Sequence, residues 1–539
     1  MKNITRDFKY ICLLAASITL SACSSDDDGA TNADIQYPEL VSGDANFSKY
    51  VSVGASFTAG YTDGALFAAA QNNSFPNMLS QKFALAGGGT FTQPLMADNI
   101  GGFVAGPTVI LNPRLYFNGS GPTLLDATPT TQITDVLSGP FNNYGVPGLK
   151  SFHLAVPGYG FANPYFGRMA SSAGATVIGD ATAASGTFFT LSEIGGNDVL
   201  EYALSGGTGI DQTGNPDATT YAKEDITDPT LFASVYNTVV TALTANGAKG
   251  VVTNIPYITS LAHFTTVPYN PLDPNENANF ASQVPTLNNV FGALNPIFEA
   301  VDPTRTIVFS QTEPSPVVIK DESLTDISTI ITTQLLASPT FPAFLAQFGL
   351  PPAAAPLVAG LLGQTFGQTR QATANDLFVL PSSRIIGKVN QTYAGFLEAQ
   401  GLSNTVARQF AVEGVTLPLE DKWVLIPTEQ TAIKNATDAY NATIQSVATD
   451  KGLAMVDFKG ILDEAAATGY ASGNYIYDTA LVTGGLISLD GVHLTARGYA
   501  IIANEIMKAI DATYGSNFEA SGNLVDPGNF PTNYPPTLR

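Results

Sequence analysis

The stretch YVSVGASFTAG, residues 50–60, decides the fold class of this 539-residue chain. Tyr50–Val53 has the composition of a short strand, and it leads directly into a turn rich in glycine and alanine that carries Ser56. In an open α/β sheet, ligands bind at the edge formed by the carboxyl ends of the strands. Ser56 is therefore a candidate for chemistry, although serine is also an ordinary turn residue.

Further short apolar strands alternate with amphipathic helices along the chain. This alternation favours an α/β fold with a central parallel sheet. The predicted elements are strands at Phe188–Ile194, Gly250–Ile255 and Leu453–Phe458, and helices from Pro229 to Gly247, from Ile433 to Val447 and from about Thr495 onward.

Long segments that lack this alternation of strands and helices are interpreted as insertions in a single domain, which spans residues 46–515. Residues 84–140 are rich in glycine, proline and threonine, and residues 320–420 include Ile327–Thr369, which has no charged residue. Prolines and glycines exclude a membrane helix there and favour short helices. These helices are predicted to line an acyl-chain site, to act as a lid, or simply to form the core of an insertion. The tail, residues 516–539, is predicted to wrap the surface.

The amino terminus is typical of a bacterial lipoprotein. Basic residues precede the apolar run Tyr10–Leu20, which is too short to cross a bilayer, and LSAC ending at Cys23 resembles a lipobox. We predict a signal peptide over residues 1–22, an acylated Cys23 and an acidic tether over residues 23–45. The alternatives are a plain secretory signal and a buried helix with an incidental cysteine. Cys12 lies in the predicted signal, so the mature chain would have no internal disulfide.

The formal net charge of −22 limits the expected partners. Such a surface repels phosphate backbones, so nucleic acid is not an expected partner, and membrane attachment would depend on lipid. The acidic run Asp26–Asp28 resembles a surface-export signal of some Bacteroidetes lipoproteins, with an ordinary charged linker as the equal alternative. The predicted location is the bacterial outer membrane, through the lipid anchor, with or without exposure at the cell surface.

Asp490 and His493 are the strongest candidates for a catalytic pair. Of the three histidines, only His493 has an acidic residue within four positions. Asp490 can accept the Nδ1 proton, fix the imidazole tautomer and stabilise the imidazolium, and such a base can activate a serine hydroxyl. The alternative is a capping aspartate beside a surface histidine. His153 and His263 are interpreted as structural.

The sequence GGND, residues 195–198, follows a predicted strand directly. Its glycines permit a tight turn, and the amide of Asn197 can donate to a developing oxyanion, a contribution typically worth about 3–4 kcal/mol in the transition state. A simple turn is the alternative interpretation. Asp198 is predicted to cap the next helix.

Together these motifs resemble the SGNH or GDSL hydrolases, whose blocks contain a nucleophilic serine, a glycine, GxND and DxxH in that order. The resemblance is closest to lipoprotein members from Bacteroidetes, and it implies a three-layer, flavodoxin-like fold with sizeable loop and helical insertions. The matching blocks are Tyr50–Phe83 (YVSVGASFTAGYTDGALFAAAQNNSFPNMLSQKF), Asn142–Lys150 (NNYGVPGLK), Gly195–Asp198 (GGND) and Ser488–Ala503 (SLDGVHLTARGYAIIA), with weaker similarity at Val251–Ser260 and Lys422–Tyr440.

The resemblance also implies a role for each site residue. Ser56 would be the nucleophile, His493 the base and Asp490 the residue that orients the base. The oxyanion hole would combine the backbone N–H groups of Ser56 and Gly148 with the amide of Asn197. Gly158 is a rival of Gly148, because Val-Pro-Gly occurs at both positions.

Two departures from known patterns affect the interpretation. The family has Asp before the serine, where this chain has Ala55, so the turn must be supported differently. Position 58 is Thr rather than Gly, so the nucleophile elbow of the separate α/β-hydrolase fold is absent.

The leading hypothesis is a serine esterase or lipase that forms an acyl-enzyme, with a lipid or an acylated glycan as the ester substrate. The alternatives are a carbohydrate O-deacetylase with the same residues and a surface lipoprotein that only binds its ligand, which Ala55 favours. We predict no cofactor and no metal site, because the histidines are scattered and no P-loop or dinucleotide fingerprint is present.

Overall fold

Five parallel strands form the central sheet in a computed structural model of the protein, which describes residues 36–539. All residues of the strands Tyr50–Gly54 and Phe188–Ser192 are buried, as expected for parallel strands covered on both faces. The α/β class and the parallel sheet predicted from the sequence are confirmed. The order across the sheet is β2-β1-β3-β4-β5, where the strands are β1 (Tyr50–Gly54), β2 (Asn143–Gly145), β3 (Phe188–Ser192), β4 (Lys249–Thr253) and β5 (Ala454–Val456).

The predicted signal peptide, Cys23 and most of the predicted tether lie outside the described residues. The compact unit runs from Glu39 to Arg539. Within it, the N–H of Asp44 donates to the carbonyl of Tyr514, and Ala45 is buried. The last residues of the predicted tether, Asp44 and Ala45, are therefore packed within the compact unit.

Helices pack against the sheet in two groups, one containing α2 (Phe75–Leu85) and α7 (Ala496–Tyr514) and the other containing α4 (Pro229–Thr244) and α5 (Pro427–Lys451). Their ends follow local signals: the side chains of Asp228 and Thr495 cap α4 and α7, Pro229 is the first residue of α4, and Gly515 ends α7 in the left-handed conformation. The helices used below are α1 (Ser56–Ala59), α2 (Phe75–Leu85), α3 (Asn197–Leu204), α4 (Pro229–Thr244), α5 (Pro427–Lys451), α6 (Phe458–Ala467) and α7 (Ala496–Tyr514).

The predicted strands and helices of the core are confirmed, with ends that differ by up to about six residues, as for α5, which begins at Pro427 rather than near Ile433. The helices α2 and α6 were not predicted, and neither was the strand β2. It has three residues, too few for a recognisable alternation of apolar and polar side chains, and it forms by pairing with β1.

A second hydrophobic core lies in the segment between β4 and α5, with buried side chains from Val267 to Ile426. The uncharged stretch Ile327–Thr369 forms three helices, and their buried side chains belong to this core. The helices of the segment are Ala278–Phe291, Asn295–Val301, Ser328–Ala337, Phe341–Gln347, Ala355–Phe366, Gln391–Ala399 and Asn404–Gln409, with antiparallel pairs Val318–Lys320 with Thr369–Gln371 and Leu377–Phe378 with Val424–Leu425.

Among residues 36–539, no single helix has the length and hydropathy of a membrane span. Phe341–Gln347 and Pro352–Phe366 satisfy the length and composition only when taken together, and the chain bends by 108° between them.

Residues 84–140 form two small antiparallel hairpins. The first hairpin pairs Phe103–Ala105 with Thr108–Leu111, and the second hairpin pairs Leu115–Phe117 with Pro122–Leu124. The tail crosses the surface and buries Phe518 and Tyr534. The remaining elements are the helices Ala68–Asn72, Pro164–Gly167, Val177–Ala183 and Ala262–Thr265 and the strand pair Tyr470–Ser472 with Tyr475–Tyr477.

Candidate active site

The carboxyl ends of β1, β2 and β3 lie side by side, and this alignment brings the predicted motifs together. Gly54 is in register with Gly145 on one side and with Ser192 on the other. The N–H of Val146 donates to the carbonyl of Gly54 at 3.0 Å. The residues that follow each strand therefore meet at one edge of the sheet.

Ser56 is the first residue of α1, directly after the turn that ends β1. The residue is 7% exposed. Within residues 36–539, no group accepts a hydrogen bond from its backbone N–H, and its hydroxyl makes no hydrogen bond. The N–H of a first helical residue has no partner inside its own helix, so it is available to an anion.

Glu193, a residue that the sequence analysis missed, supports the turn before Ser56. Its Oε1 accepts the N–H of Ala55 at 2.7 Å and the N–H of Thr58 at 3.1 Å, and its Oε2 accepts the hydroxyl of Thr58 at 3.2 Å. A carboxylate from the neighbouring strand thus occupies the amino end of α1, although Ala55 carries no polar side chain. Glu193 is the one charged residue within the predicted strand Phe188–Ile194, and this isolated acidic residue was the signal that could have identified it.

Glu193 also makes the stability of the protein depend on pH. Burial raises the pKa of its carboxyl to about 7, against the opposing effect of the hydrogen bonds from Ser192, Thr58 and Ala55. The pKa of a glutamate in an unfolded chain is about 4.3. At pH values between about 4.3 and about 7, the folded protein therefore keeps a proton on Glu193 that the unfolded chain releases, so the free energy of unfolding falls as pH rises.

Glu193→Gln is therefore expected to flatten the decline in unfolding free energy between pH 5 and 8, by up to about 1.4 kcal/mol per pH unit. The Gln carbonyl still accepts the two N–H groups. Glu193→Ala leaves them unpaired and should cost about 1–3 kcal/mol at every pH. Urea unfolding at several pH values measures both, with Glu276→Gln on the exposed surface as control. A slope unchanged in Glu193→Gln would contradict the assignment, since the other carboxyl groups whose pKa burial raises, Asp63, Asp421 and Glu429, contribute equally in the parent and in the variant.

Asp490 and His493 form the predicted pair in a tight turn. His493 Nδ1 lies 2.9 Å from Asp490 Oδ2, and the two side chains are 14% and 13% exposed. Asp490 Oδ1 accepts the N–H groups of Val492 and His493, each at 2.8 Å, and Oδ2 also accepts the N–H of Gly64 at 2.8 Å. Because an ionised carboxylate only accepts, it holds the proton on Nδ1 and leaves Nε2 as the acceptor.

The Asp490 carboxylate stays ionised in this setting. Burial acts to raise its pKa, but the charge of His493 and the hydrogen bonds from His493 and Val492 outweigh burial and hold the pKa well below its usual range. A permanent negative charge beside Nδ1 stabilises the imidazolium that forms when Nε2 takes a proton.

The imidazole of His493 packs against the helical turn that Ser56 begins. Its ring centroid lies 4.5 Å from that of Tyr61 and 5.8 Å from that of Phe57. The N–H of Tyr61 donates to the carbonyl of Ser56 at 2.9 Å. His493 thus contacts aromatic side chains that follow Ser56 in the chain, and no hydrogen bond joins the side chains of Ser56 and His493 among the described residues. Catalytic hydrogen bonds often tighten only when substrate binds.

His263 supports the turn that carries the pair. Its N–H donates to the carbonyl of Gly491 at 2.9 Å, and its Nδ1 lies 3.3 Å from the carbonyl of Asp490. Burial lowers the pKa of His263 despite the opposing effect of Asp490, which favours the neutral ring. The contacts of His263 are with the backbone of this turn, as expected for a structural role.

The amide of Asn197 is held in place by the loop after β2. Asn197 is the first residue of α3, and its Nδ2 donates one hydrogen to the carbonyl of Leu149 at 2.9 Å. The amide nitrogen has a second hydrogen, which remains for another acceptor. The same loop contains Gly148, so the hydrogen bond links two predicted members of the oxyanion hole.

Gly148 and Gly158 differ in their backbone hydrogen bonds. The N–H of Gly158 donates to the carbonyl of Ala175 at 3.0 Å, whereas the N–H of Gly148 has no acceptor within residues 36–539. Gly148 adopts φ +75°, and a Cβ at this position would have no heavy atom within 4 Å, so its backbone faces open space. The geometry leaves the amide of Gly148 available and that of Gly158 occupied.

Asp198 has a different role from the predicted helix cap. It is the second residue of α3, and its carboxylate accepts the N–H and the hydroxyl of Ser151, at 2.8 and 2.6 Å. The prediction of a cap was wrong, because the helix begins at Asn197 rather than after Asp198. Asp198 instead connects α3 to the loop after β2 through these two hydrogen bonds.

Three carboxyl groups away from these motifs lie close enough to hold a cation. Oxygens of Glu322, Asp421 and Glu429 lie within 4.8 Å of one another. Oε2 of Glu429 accepts the N–H of Ile426 at 2.8 Å, and burial together with Glu322 raises the pKa of Glu429. A retained proton relieves the repulsion among these groups, so the cluster does not require a metal.

No family model matches the chain, and comparison with curated proteins and with solved structures also gives no match.

Proposed function

We propose that the protein is a serine hydrolase of carboxylic esters, an esterase or lipase of the SGNH or GDSL type. The observation that carries the proposal is the Asp490–His493 pair, joined at 2.9 Å and packed against the turn that begins at Ser56. A buried carboxylate, an imidazole with a free Nε2 and a neighbouring serine form the set that acyl transfer requires.

In the proposed reaction, Nε2 of His493 takes the proton of the Ser56 hydroxyl as its oxygen attacks the ester carbonyl. The carbonyl oxygen becomes an oxyanion, which accepts hydrogen bonds from the N–H groups of Ser56 and Gly148 and from the free amide hydrogen of Asn197. The imidazolium then protonates the departing alcohol, which leaves an acyl-enzyme. Water, deprotonated by the same imidazole, releases the acid and restores Ser56.

The fold supports the family assignment. The strand order β2-β1-β3-β4-β5 is that of the flavodoxin-like sheets, with the catalytic serine after the first strand at the point where the order reverses. Burial of β1 and β3 at every position agrees with a three-layer arrangement. We also propose attachment to the bacterial outer membrane through an acyl group on Cys23.

A fluorophosphonate probe tests this proposal. Such a probe phosphonylates an activated serine and spares ordinary ones, since a hydroxyl without a base is a poor nucleophile. We expect labelling of the folded protein at one serine, located at Ser56 by peptide mass mapping, and no labelling after unfolding in urea. Labelling at another serine, or none in the folded protein, would refute the proposal.

A further inference from the structure

The two hairpins of residues 84–140 expose an unusual amount of apolar surface. All four residues of the strand Thr108–Leu111 are exposed, so this strand has no buried face. Exposed apolar side chains that lie close together mark a binding surface more often than scattered ones do. The exposed side chains, each between 38% and 48% accessible, are Val109, Ile110, Leu111, Phe117 and Leu124.

The pairing of the second hairpin collects its apolar residues on one face. Leu115 is opposite Leu124, and Phe117 is opposite Pro122. Residues directly opposite in an antiparallel pair, and residues two apart along a strand, point to the same side of the sheet. These four apolar side chains therefore form one face, and Phe117 and Leu124 are its exposed members.

The strands of the two hairpins carry no exposed charge, and the exposed Asp126 follows two residues after Leu124. Between residues 99 and 125 the chain has a single charged residue, Arg114, in a protein of net charge −22. Arg114 is fully buried, and its guanidinium donates only to backbone carbonyl groups. The acceptors are Asn99, Leu115, Tyr534, Pro535 and Leu538.

The second hairpin begins beside the proposed catalytic pair. The N–H of Leu115 donates to the carbonyl of Asp63 at 2.7 Å. The N–H of Gly64, which follows Asp63 in the chain, donates to Asp490 Oδ2 at 2.8 Å. A Cβ at Gly64 would lie 3.6 Å from Leu115 Cδ1 and 3.9 Å from Asp490 Cβ. One residue thus separates the apolar face from the carboxylate that orients His493.

We propose that the two hairpins bind the acyl chains of an electrically neutral lipid surface and deliver an ester lipid from that surface to Ser56. The proposal rests on the proposed function, and it names the substrate class as a water-insoluble ester. An apolar, uncharged face suits aliphatic chains, and Tyr116 and Phe117 are residue types that favour a lipid–water boundary. The face begins at Leu115, one residue from the carboxylate that orients His493, which is where a substrate lipid has to arrive.

Flotation with vesicles of phosphatidylcholine tests the docking surface without catalysis. The chain from Ser24 onward contains the whole compact unit of residues 39–539 and lacks Cys23, so no acyl anchor contributes. We expect this chain, with Ser56→Ala to prevent turnover, to float with the vesicles. Phe117→Glu combined with Leu124→Glu should reduce the bound fraction by about tenfold or more, because two charges would have to enter the lipid.

The matched control is Ile330→Glu combined with Leu336→Glu, which adds the same charge at two exposed apolar positions in the uncharged stretch Ile327–Thr369. It should float like the parent chain, and thermal unfolding should show all three chains to be folded. No flotation of the parent, or equal losses in both double variants, would overturn the proposal. Flotation of the Ser56→Ala chain, together with no probe labelling of Ser56 in the chain that keeps this serine, would instead refute the proposed function alone.

Discussion

Ser56→Ala is expected to lower kcat/KM for a soluble p-nitrophenyl ester by about 10⁴-fold or more. In the proposed reaction the hydroxyl is the attacking group, so its removal leaves only the part of catalysis that the oxyanion hole and substrate binding provide. The Ser56 hydroxyl makes no hydrogen bond among the described residues, so its removal leaves no other group without a hydrogen-bond partner. The variant should therefore unfold at the same temperature as the parent protein.

Initial rates and thermal unfolding of the same preparations measure this prediction. Ser234→Ala, at an exposed position of α4, is the matched control, and it should keep the parent's activity. A folded Ser56→Ala protein with activity comparable to that control would show that ester hydrolysis, if present, uses another group.

His493→Gln should reduce kcat by about 10⁴-fold, and Asp490→Asn by about 10³–10⁴-fold. Without an imidazole no group takes the proton of Ser56. Asp490→Asn keeps the shape of the side chain but removes the charge that stabilises the imidazolium, and its amide can hold His493 in the wrong tautomer. Because both variants disable one proton transfer, the double variant should be little worse than His493→Gln.

His153→Gln is the control for these variants. The Nδ1 of His153 accepts the N–H of Lys150 at 3.1 Å, which a Gln carbonyl can also do, and burial lowers the pKa of His153 to about 4. We expect this variant to keep most of the parent's activity in the same kinetic assay. If the losses in His493→Gln and Asp490→Asn simply multiplied in the double variant, the two residues would not act as one unit.

Local signals in the sequence predicted the core elements well. Asp228 and Thr495 cap the helices that were predicted to start beside them, and the apolar runs that became β1, β3, β4 and β5 are strands. Both signals depend on neighbours in the chain, so they can be read without knowledge of the fold. The short strand β2 could not be read in this way, because its pairing with β1 makes it a strand.

The role of the uncharged stretch Ile327–Thr369 was left open by the sequence. Its composition suited an acyl-chain site, a lid or a core, since all three need apolar side chains. Most apolar side chains of its helices are buried in the second core, between Val267 and Ile426, whereas Ile330, Leu336 and Leu357 are exposed. The two hairpins of residues 84–140 also expose apolar side chains. The composition of a segment shows that apolar residues are present, but only the packing of the folded chain determines which of them face solvent.

The sequence by itself determined the residue types of the candidate site and their order along the chain, and it identified Asp490 and His493 because they lie within one turn. The tertiary structure decided what depends on contacts between distant segments. It brought Glu193 to the amino end of α1 in place of a side chain at Ala55, and it left the amide of Gly148 free while that of Gly158 is bonded. Those outcomes follow from strand register and backbone hydrogen bonding, which link residues far apart in the chain and leave no local pattern.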